Sequence, residues 1–110
     1  MESDCIFCNI AQGKTSTELI YTNQNLVIFK DIKPHAPVHL LIVPKRHIRS
    51  INDVTETDQP LLSELIMAAK NIAPEFGVRE SGYKLLFAVE KGGGQTVFHL
   101  HLHLIGGWIR

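Results

Sequence analysis

Residues 98–105 read Phe98-His99-Leu100-His101-Leu102-His103-Leu104-Ile105, a strict alternation of apolar residues with three histidines. Successive side chains of a β-strand point to opposite faces, so the pattern predicts a strand over 98–105 with the imidazoles on one face and the apolar side chains in the core. At about 3.3 Å per residue, the first and third histidines lie roughly 13 Å apart, too far to share one metal ion. A metal centre could therefore use two of the three at most.

The histidine face has more than one chemical interpretation. Two of its imidazoles could bind a metal, or a central imidazole could act as a nucleophile while its neighbours orient it and bind an anion. A polar strand face without a chemical role is a third possibility. The glycine run 92–94 favours anion binding, because it can turn tightly and present bare backbone amides to a phosphate. Gln95 and Thr96 would add side-chain donors.

The rest of the chain predicts a single α+β domain over residues 1–110, an antiparallel sheet with helices packed on it. Helical spacing of apolar residues predicts a short helix over 5–11 and a long one over 57–73. Further strands are predicted over 19–21, 26–29, 39–43 and 83–89. The buried stripe of the long helix is predicted to contain Leu61, Leu62, Leu65, Ile66, Ala69 and Ile72.

Composition excludes several classes of function. Eleven basic and eleven acidic residues give a formal net charge of zero, whereas a nucleic-acid or anionic-membrane binder needs a basic excess. The N-terminus lacks the basic and apolar regions of a signal peptide, and the apolar stretch 38–43 is too short to cross a bilayer, so we expect a cytoplasmic protein without membrane partners. Cys5 and Cys8, the only cysteines, are then expected to be thiols or metal ligands.

The segment 99–105 resembles the His-φ-His-φ-His-φ-φ motif (φ, apolar) of the histidine-triad superfamily, and the ending Leu104-Ile105-Gly106-Gly107 is similar to its histidine-triad nucleotide-binding (Hint-like) branch. The resemblance extends along the chain, through Cys5-Ile6-Phe7-Cys8, Phe29-Lys30-Asp31-Ile32, His39, Pro44-Lys45-Arg46-His47-Ile48 and Gly94-Gln95-Thr96. It implies a HIT-like fold with a five-stranded antiparallel sheet, one long and one short helix, and a sheet extended across a homodimer. The segment 83–89 and the long helix are the expected interface.

The resemblance also implies an activity. It is hydrolysis of purine nucleoside 5′-phosphoramidates or related adenylates at the α-phosphate, through a nucleotidyl-histidine intermediate and with no metal required for the hydrolytic step. His101 would be the nucleophile, His103 would bind a phosphate oxygen, and His99 would orient the site through its backbone. Gln95 and Thr96, after Gly94, would contact the phosphate or the leaving group.

The same resemblance implies a site for AMP or GMP derivatives. Asp31 would accept hydrogen bonds from the ribose hydroxyls, and His39 would orient the site. An apolar cleft would hold the purine, formed by Ile6, Phe7, Ile10, Phe29 and Ile32. For each of these a plain core role is the alternative. The sequence departs from its relatives at Ala88 or Val89, where they carry an asparagine.

The pair Cys5-x-x-Cys8 could by itself be a redox dithiol or half of a metal site. The resemblance implies a structural zinc that these two thiols bind together with His47 and His99, a complete Cys₂His₂ set. Other functional hypotheses remain beside phosphoramidate hydrolysis. They are dinucleoside polyphosphate hydrolysis, a nucleotide-binding regulatory module with slow turnover, and a zinc protein whose histidines serve metal alone.

Overall fold

The computed structural model describes residues 4–109, with five strands in one antiparallel sheet of order β1-β2-β3-β5-β4. The strands are β1 Tyr21–Thr22, β2 Leu26–Lys30, β3 Val38–Pro44, β4 Tyr83–Leu86 and β5 Leu102–Gly106. There are a short helix, α1 Ile6–Ala11, and a long one, α2 Gln59–Ile72. The remaining helical segments are 3₁₀ turns at Ile51–Asp53, Glu56–Asp58, Ala73–Phe76 and Lys91–Gly93. This architecture confirms the predicted α+β class with one long and one short helix.

Strands β2 and β3 contain apolar runs over 26–29 and 40–43, and these side chains are buried on both faces of the sheet. Alternate side chains divide between two clusters, one under α2 and one under α1. The α2 cluster contains Leu26, Ile28, Leu40, Ile42, Leu65, Ala69, Ile72, Leu100, Leu102 and Leu104 among its members. The α1 cluster contains Phe7, Ile10, Ala11, Val27, Phe29, Leu41 and Val43. The sheet thus separates a purely structural side from a side that faces α1.

Helix α2 begins two residues later than predicted, because a 3₁₀ turn and a capping box precede it. The Thr55 amide donates to the Asp58 carboxylate at 2.9 Å, and Pro60 lies in the first turn. Of the predicted stripe, Ile66 is 45% exposed, since a 100° step per residue places it on the flank of the face centred on Leu65. Within residues 4–109, no helix combines the length and the apolar character needed to cross a membrane.

The predicted strand over 98–105 begins only at Leu102, so His103 alone of the three histidines lies in β5. The preceding residues make hydrogen bonds outside the ladder. The Leu100 amide donates to the Ile48 carbonyl at 2.6 Å, and the His99 ring bonds the Pro44 carbonyl at 2.8 Å. Strand β4 ends at Leu86, the partner of His103, short of the predicted 89. The alternation of faces nevertheless persists, with the leucines under α2.

Candidate active site

A cavity of about 540 Å³ opens on the α1 side of the sheet. Ten of the residues expected to form the nucleotide site line it: Ile6, Phe7, Ile10, Phe29, Asp31, Ile32, Gly94, Thr96, His101 and His103. Thr17, Lys30, Lys33, His35, His39, Leu41 and Val97 complete the lining. The predicted residues Gln95 and His99 are not in the wall. The cavity therefore places an apolar wall opposite a group of titratable side chains.

His101 is positioned as a neutral imidazole with a free ring nitrogen. It is 7% exposed, and its Nδ1 lies 2.7 Å from the His99 carbonyl oxygen. A carbonyl can only accept, so Nδ1 carries the ring proton and Nε2 keeps its lone pair. Burial lowers the pKa of His101, which maintains the neutral form. The Phe7 ring packs edge-on against it at 4.9 Å between centroids, fixing the plane of the imidazole.

A chain of hydrogen bonds fixes the tautomer of His103. The His35 amide donates to His39 Nδ1 at 3.0 Å, so the proton of neutral His39 is on Nε2. That Nε2 lies 2.9 Å from His103 Nδ1, which therefore accepts and leaves the His103 proton on Nε2. Burial, reinforced by His101 and His39, lowers the pKa of His103 to about 4. His103 is thus a neutral donor beside His101, with ring centroids 4.7 Å apart.

Asp31 completes this group where the chain leaves β2. One carboxylate oxygen accepts from the Lys33 amide at 2.8 Å, and the other lies 3.5 Å from His39 Nε2. Asp31, His39 and His103 bring their donor atoms within 4.8 Å of one another, as a metal site would. However, the His35 amide occupies His39 Nδ1 and forces a proton onto Nε2, the atom that would have to bind the ion. His39 and His103 are therefore joined by a hydrogen bond, and Asp31 lies beside the same His39 nitrogen.

The glycine run does not form the predicted nest of bare amides. The Gly93 and Gln95 amides donate to the Glu90 carbonyl at 3.0 and 3.1 Å, and the Gly94 amide donates to the Lys91 carbonyl at 3.0 Å. The expectation was wrong because the run forms a 3₁₀ turn that uses these donors internally. Within residues 4–109, no hydrogen bond uses the amide or the hydroxyl of Thr96, and both remain for a ligand in the cavity.

Gln95 supports the loop and does not reach the cavity. It is 3% exposed, and its Oε1 accepts from the Glu90 amide at 2.7 Å. Its Nε2 donates to the Arg49 and Val97 carbonyls at 2.8 and 3.1 Å. Both Nε2 donors are thereby used, and the side chain lies outside the cavity wall, so the predicted contact with phosphate or leaving group is not made from this position. Sequence reasoning missed the partner, Glu90, because no local pattern signals its role.

The second group of predicted residues also comes together. The Cys5 and Cys8 sulfurs each lie 3.3 Å from His99 Nδ1, and the Cys8 sulfur lies 3.4 Å from His47 Nδ1. The two imidazole Nδ1 atoms are 3.2 Å apart. Ligands at the corners of a zinc-centred tetrahedron lie roughly 3.4–3.8 Å apart, close to these separations. His99 is fully buried, and its Nε2 donates to the Pro44 carbonyl, leaving the Nδ1 lone pair for an ion.

The Cys₂His₂ cluster therefore fits a soft tetrahedral metal in donor type, tautomer and spacing. It involves four protein ligands, which leaves no open position for a substrate. Helix α1 brings its two thiols to the cluster, with Cys5 as the residue that caps the helix. The same helix presents Phe7 to His101. The cluster thus anchors the element that forms one wall of the cavity.

Comparison with known sequences agrees with this geometry. The family model described as scavenger mRNA decapping enzyme C-term binding matches residues 4–107. Protein HitA of Neisseria gonorrhoeae is 43% identical over 103 residues, covering 94% of this chain and 95% of its own. The purine nucleoside phosphoramidase of Escherichia coli K12 is 36% identical over 107 residues, covering 97% and 90%.

Solved structures give the same result. A HIT family hydrolase from Legionella pneumophila Philadelphia 1 superposes with a TM-score of 0.92 at 48% identity, over 96% of this chain and 94% of that one. A zinc-bound histidine triad family protein from Mycobacterium smegmatis has a TM-score of 0.81 at 27% identity, over 96% and 76%. With a family model spanning nearly all of its length and relatives this similar, the chain belongs to the histidine-triad superfamily.

Proposed function

We propose that this protein hydrolyses purine nucleoside 5′-phosphoramidates, with His101 as the nucleophile. The observation that carries the proposal is the tautomer of His101. Its bond to the His99 carbonyl leaves the Nε2 lone pair on a buried, neutral ring that lines a cavity of nucleotide size. A purine nucleoside phosphoramidase is also among the relatives at 36% identity.

The nucleotide would occupy the cavity in three parts. The base would lie against the apolar wall, where Ile6 and Ile32 are 52% and 84% exposed and gain burial on binding. The ribose hydroxyls would donate to the Asp31 carboxylate, whose oxygens retain free lone pairs. The phosphate would accept from the Nε2–H of His103 and from Thr96. AMP and GMP derivatives both satisfy these requirements.

The reaction would proceed in two displacements at phosphorus. In the first, the Nε2 lone pair of His101 forms a P–N bond while the bond from phosphorus to the substrate nitrogen breaks, and the departing amine takes up a proton from the site. In the second, a water molecule attacks phosphorus and loses a proton. The P–N bond to His101 breaks, and the nucleoside monophosphate is released. His103, which His39 keeps in the donor tautomer, would stabilise the charge on the phosphoryl oxygens in both displacements.

The Cys₂His₂ cluster would hold a structural zinc that stabilises the site without entering the reaction. His99 contributes its ring to this cluster and its carbonyl oxygen to His101. An ion that fixes the His99 ring would also fix the acceptor of the His101 proton. Cys5, Cys8, His47 and His99 would be its ligands.

The substitution His101→Ala tests the proposal on adenosine 5′-phosphoramidate. We expect kcat/KM to fall at least ~10³-fold, as expected when a covalent nucleophile is removed. His35→Ala, an exposed histidine of the same cavity wall, should retain activity within a fewfold because its backbone donor to His39 is unchanged. Activity of His101→Ala near that of the parent would refute the nucleophile. Diadenosine polyphosphates are assayed in parallel, and faster turnover of these substrates would indicate a dinucleoside polyphosphate hydrolase. AMP binding without turnover of either substrate would indicate a regulatory module.

We also propose a homodimer formed through β4 and the neighbouring face of α2. Strand β4 is an edge strand with one unpaired side, and edge strands promote pairing between chains. Large apolar side chains are exposed on these elements, with Leu85 at 36%, Ile66 at 45% and Met67 at 47%. Sedimentation equilibrium should give twice the chain mass of 12.3 kDa. A monomer at micromolar concentration would refute the interface.

A further inference from the structure

The segment between β4 and the histidines contains an unusual backbone position. Glu90 has φ 60° and ψ 177°, and among the described residues it is the one non-glycine with positive φ. That region of backbone space is almost exclusive to glycine, so the conformation persists only where its surroundings enforce it. Three glycines follow one residue later, after Lys91, yet the chain places a glutamate at this point.

Surrounding groups hold Glu90 through every polar group it has. Its carboxylate accepts from Arg49 Nε at 3.0 Å and Nη2 at 2.9 Å, and from the Ser50 hydroxyl at 3.0 Å. Arg49 and Ser50 hold the pKa of this carboxyl below its usual range, consistent with a permanent charge. Its amide donates to Gln95 Oε1, and its carbonyl accepts from the Gly93 and Gln95 amides.

These bonds hold the residues on either side of Gly94 and of Thr96. Residues 93, 95 and 97 are tied to Glu90 or, through the Gln95 side chain, to the segment around Arg49. Gly94 and Thr96, which lie between these tied positions, line the cavity. The Arg49 guanidinium also stacks on the Phe98 ring at 4.2 Å, immediately before His99. One cluster therefore fixes both the loop and the start of the histidine segment.

We infer that Glu90 is a positioning residue for the hydrolysis proposed above: clamped by Arg49, Ser50 and Gln95, it holds Thr96 at the phosphate end of the cavity. The inference rests on the proposed function for its kinetic consequence. The contact of Thr96 with the phosphate would therefore depend on the Glu90 carboxylate, which holds the loop, because the flexible glycines 92–94 do not fix its position by themselves. A loss of the clamp should affect kcat more than the binding of base and ribose, whose contacts lie elsewhere.

Two substitutions separate positioning from folding. Glu90→Ala and Glu90→Gly both remove the carboxylate, but glycine accepts the backbone conformation and should give the higher melting temperature. We expect both to lower kcat on adenosine 5′-phosphoramidate at least ~5-fold with KM within about twofold, as for a misplaced catalytic contact. Glu90→Gln, which keeps a hydrogen-bond acceptor, should recover part of kcat. Glu80→Ala, which removes the exposed partner of Arg79, should match the parent.

The outcomes distinguish this inference from the proposed function. Parent-like kcat in Glu90→Gly, or kcat that follows the melting temperature across the series, would overturn the positioning role. Should the parent itself show no turnover, the proposed function fails, but the clamp remains testable by hydrogen exchange. The Gly93 and Gln95 amides, which donate to the Glu90 carbonyl, should exchange at least ~10-fold faster in Glu90→Gly. Unchanged exchange would refute the clamp independently of activity.

Discussion

The histidines at the two ends of the triad segment have the same chemistry but opposite surroundings. His99 directs its Nδ1 lone pair at two thiols and a second imidazole, while His103 accepts a hydrogen bond from His39 and lines the cavity. In each case a backbone group sets the tautomer, the Pro44 carbonyl for His99 and the His35 amide, through His39, for His103. The comparison teaches that backbone partners decide whether an imidazole becomes a ligand or a donor.

The largest effect, on zinc content and stability, is expected from a substitution in the Cys₂His₂ cluster at the His99 end of the triad segment. Cys8→Ala removes a buried ligand and should reduce zinc from one ion per chain to a small fraction of that value. Because the binding energy of a structural zinc contributes to folding, the free energy of unfolding should fall by at least ~3 kcal/mol. Metal analysis by mass spectrometry and urea denaturation measure both quantities. Full zinc content in this variant would show that the four side chains do not form a metal site.

A smaller effect is expected at the His103 end, and on a different observable. His39→Leu removes the donor that fixes the His103 tautomer, so kcat should fall on the order of 10- to 100-fold while zinc content stays at the parent level. Steady-state kinetics and metal analysis of the same preparation test this separation. The comparison between the two ends breaks down if His39→Leu loses zinc or keeps full activity.

The smallest effect is the contribution of His103 to the pH dependence of the free energy of unfolding. Its folded pKa is about 4, against about 6.5 in the unfolded chain, so the unfolded chain binds the proton first as the pH falls. The stabilisation present above pH 6.5 is therefore lost progressively toward pH 4. Between pH 7.5 and 5.5 the parent should lose about 1.4 kcal/mol more than His103→Gln in urea unfolding. Equal losses in the two proteins would show that the ring is not desolvated in the folded state.

Side-chain patterns in the sequence predicted the class of the fold, and the resemblance to the histidine-triad superfamily implied the members of both histidine groups. The alternation over 98–105 correctly placed Leu100, Leu102 and Leu104 in the core, whereas Phe98 lies half-buried against Arg49. The apolar runs of β2 and β3 matched their burial on both faces. The thiol pair Cys5 and Cys8 indicated half of a possible metal site, and the resemblance added His47 and His99. These features depend on residue type and spacing, which a sequence states directly.

Features that depend on where backbone hydrogen bonds go were not predicted. The late start of β5 results from bonds of residues 99 and 100 to the segment 44–48, distant in sequence. The glycine run suggested open amides, but a 3₁₀ turn uses them, and Gln95 is hydrogen-bonded to backbone groups. Glu90 occupies a conformation that its residue type disfavours, so only the surrounding contacts could indicate it.

Burial of β2 and β3 on both faces of the sheet limits where substitutions can be introduced into this protein. A change at the apolar residues 26–29 of β2 or 40–43 of β3 disturbs one of two packed cores, so the cavity floor that they form is fixed by stability. The rim is different, because Ile6 stands on a six-residue helix and Ile32 on an irregular connection, both largely in solvent. Selection for a new nucleobase preference should therefore accumulate substitutions on these two short segments and leave the sheet untouched.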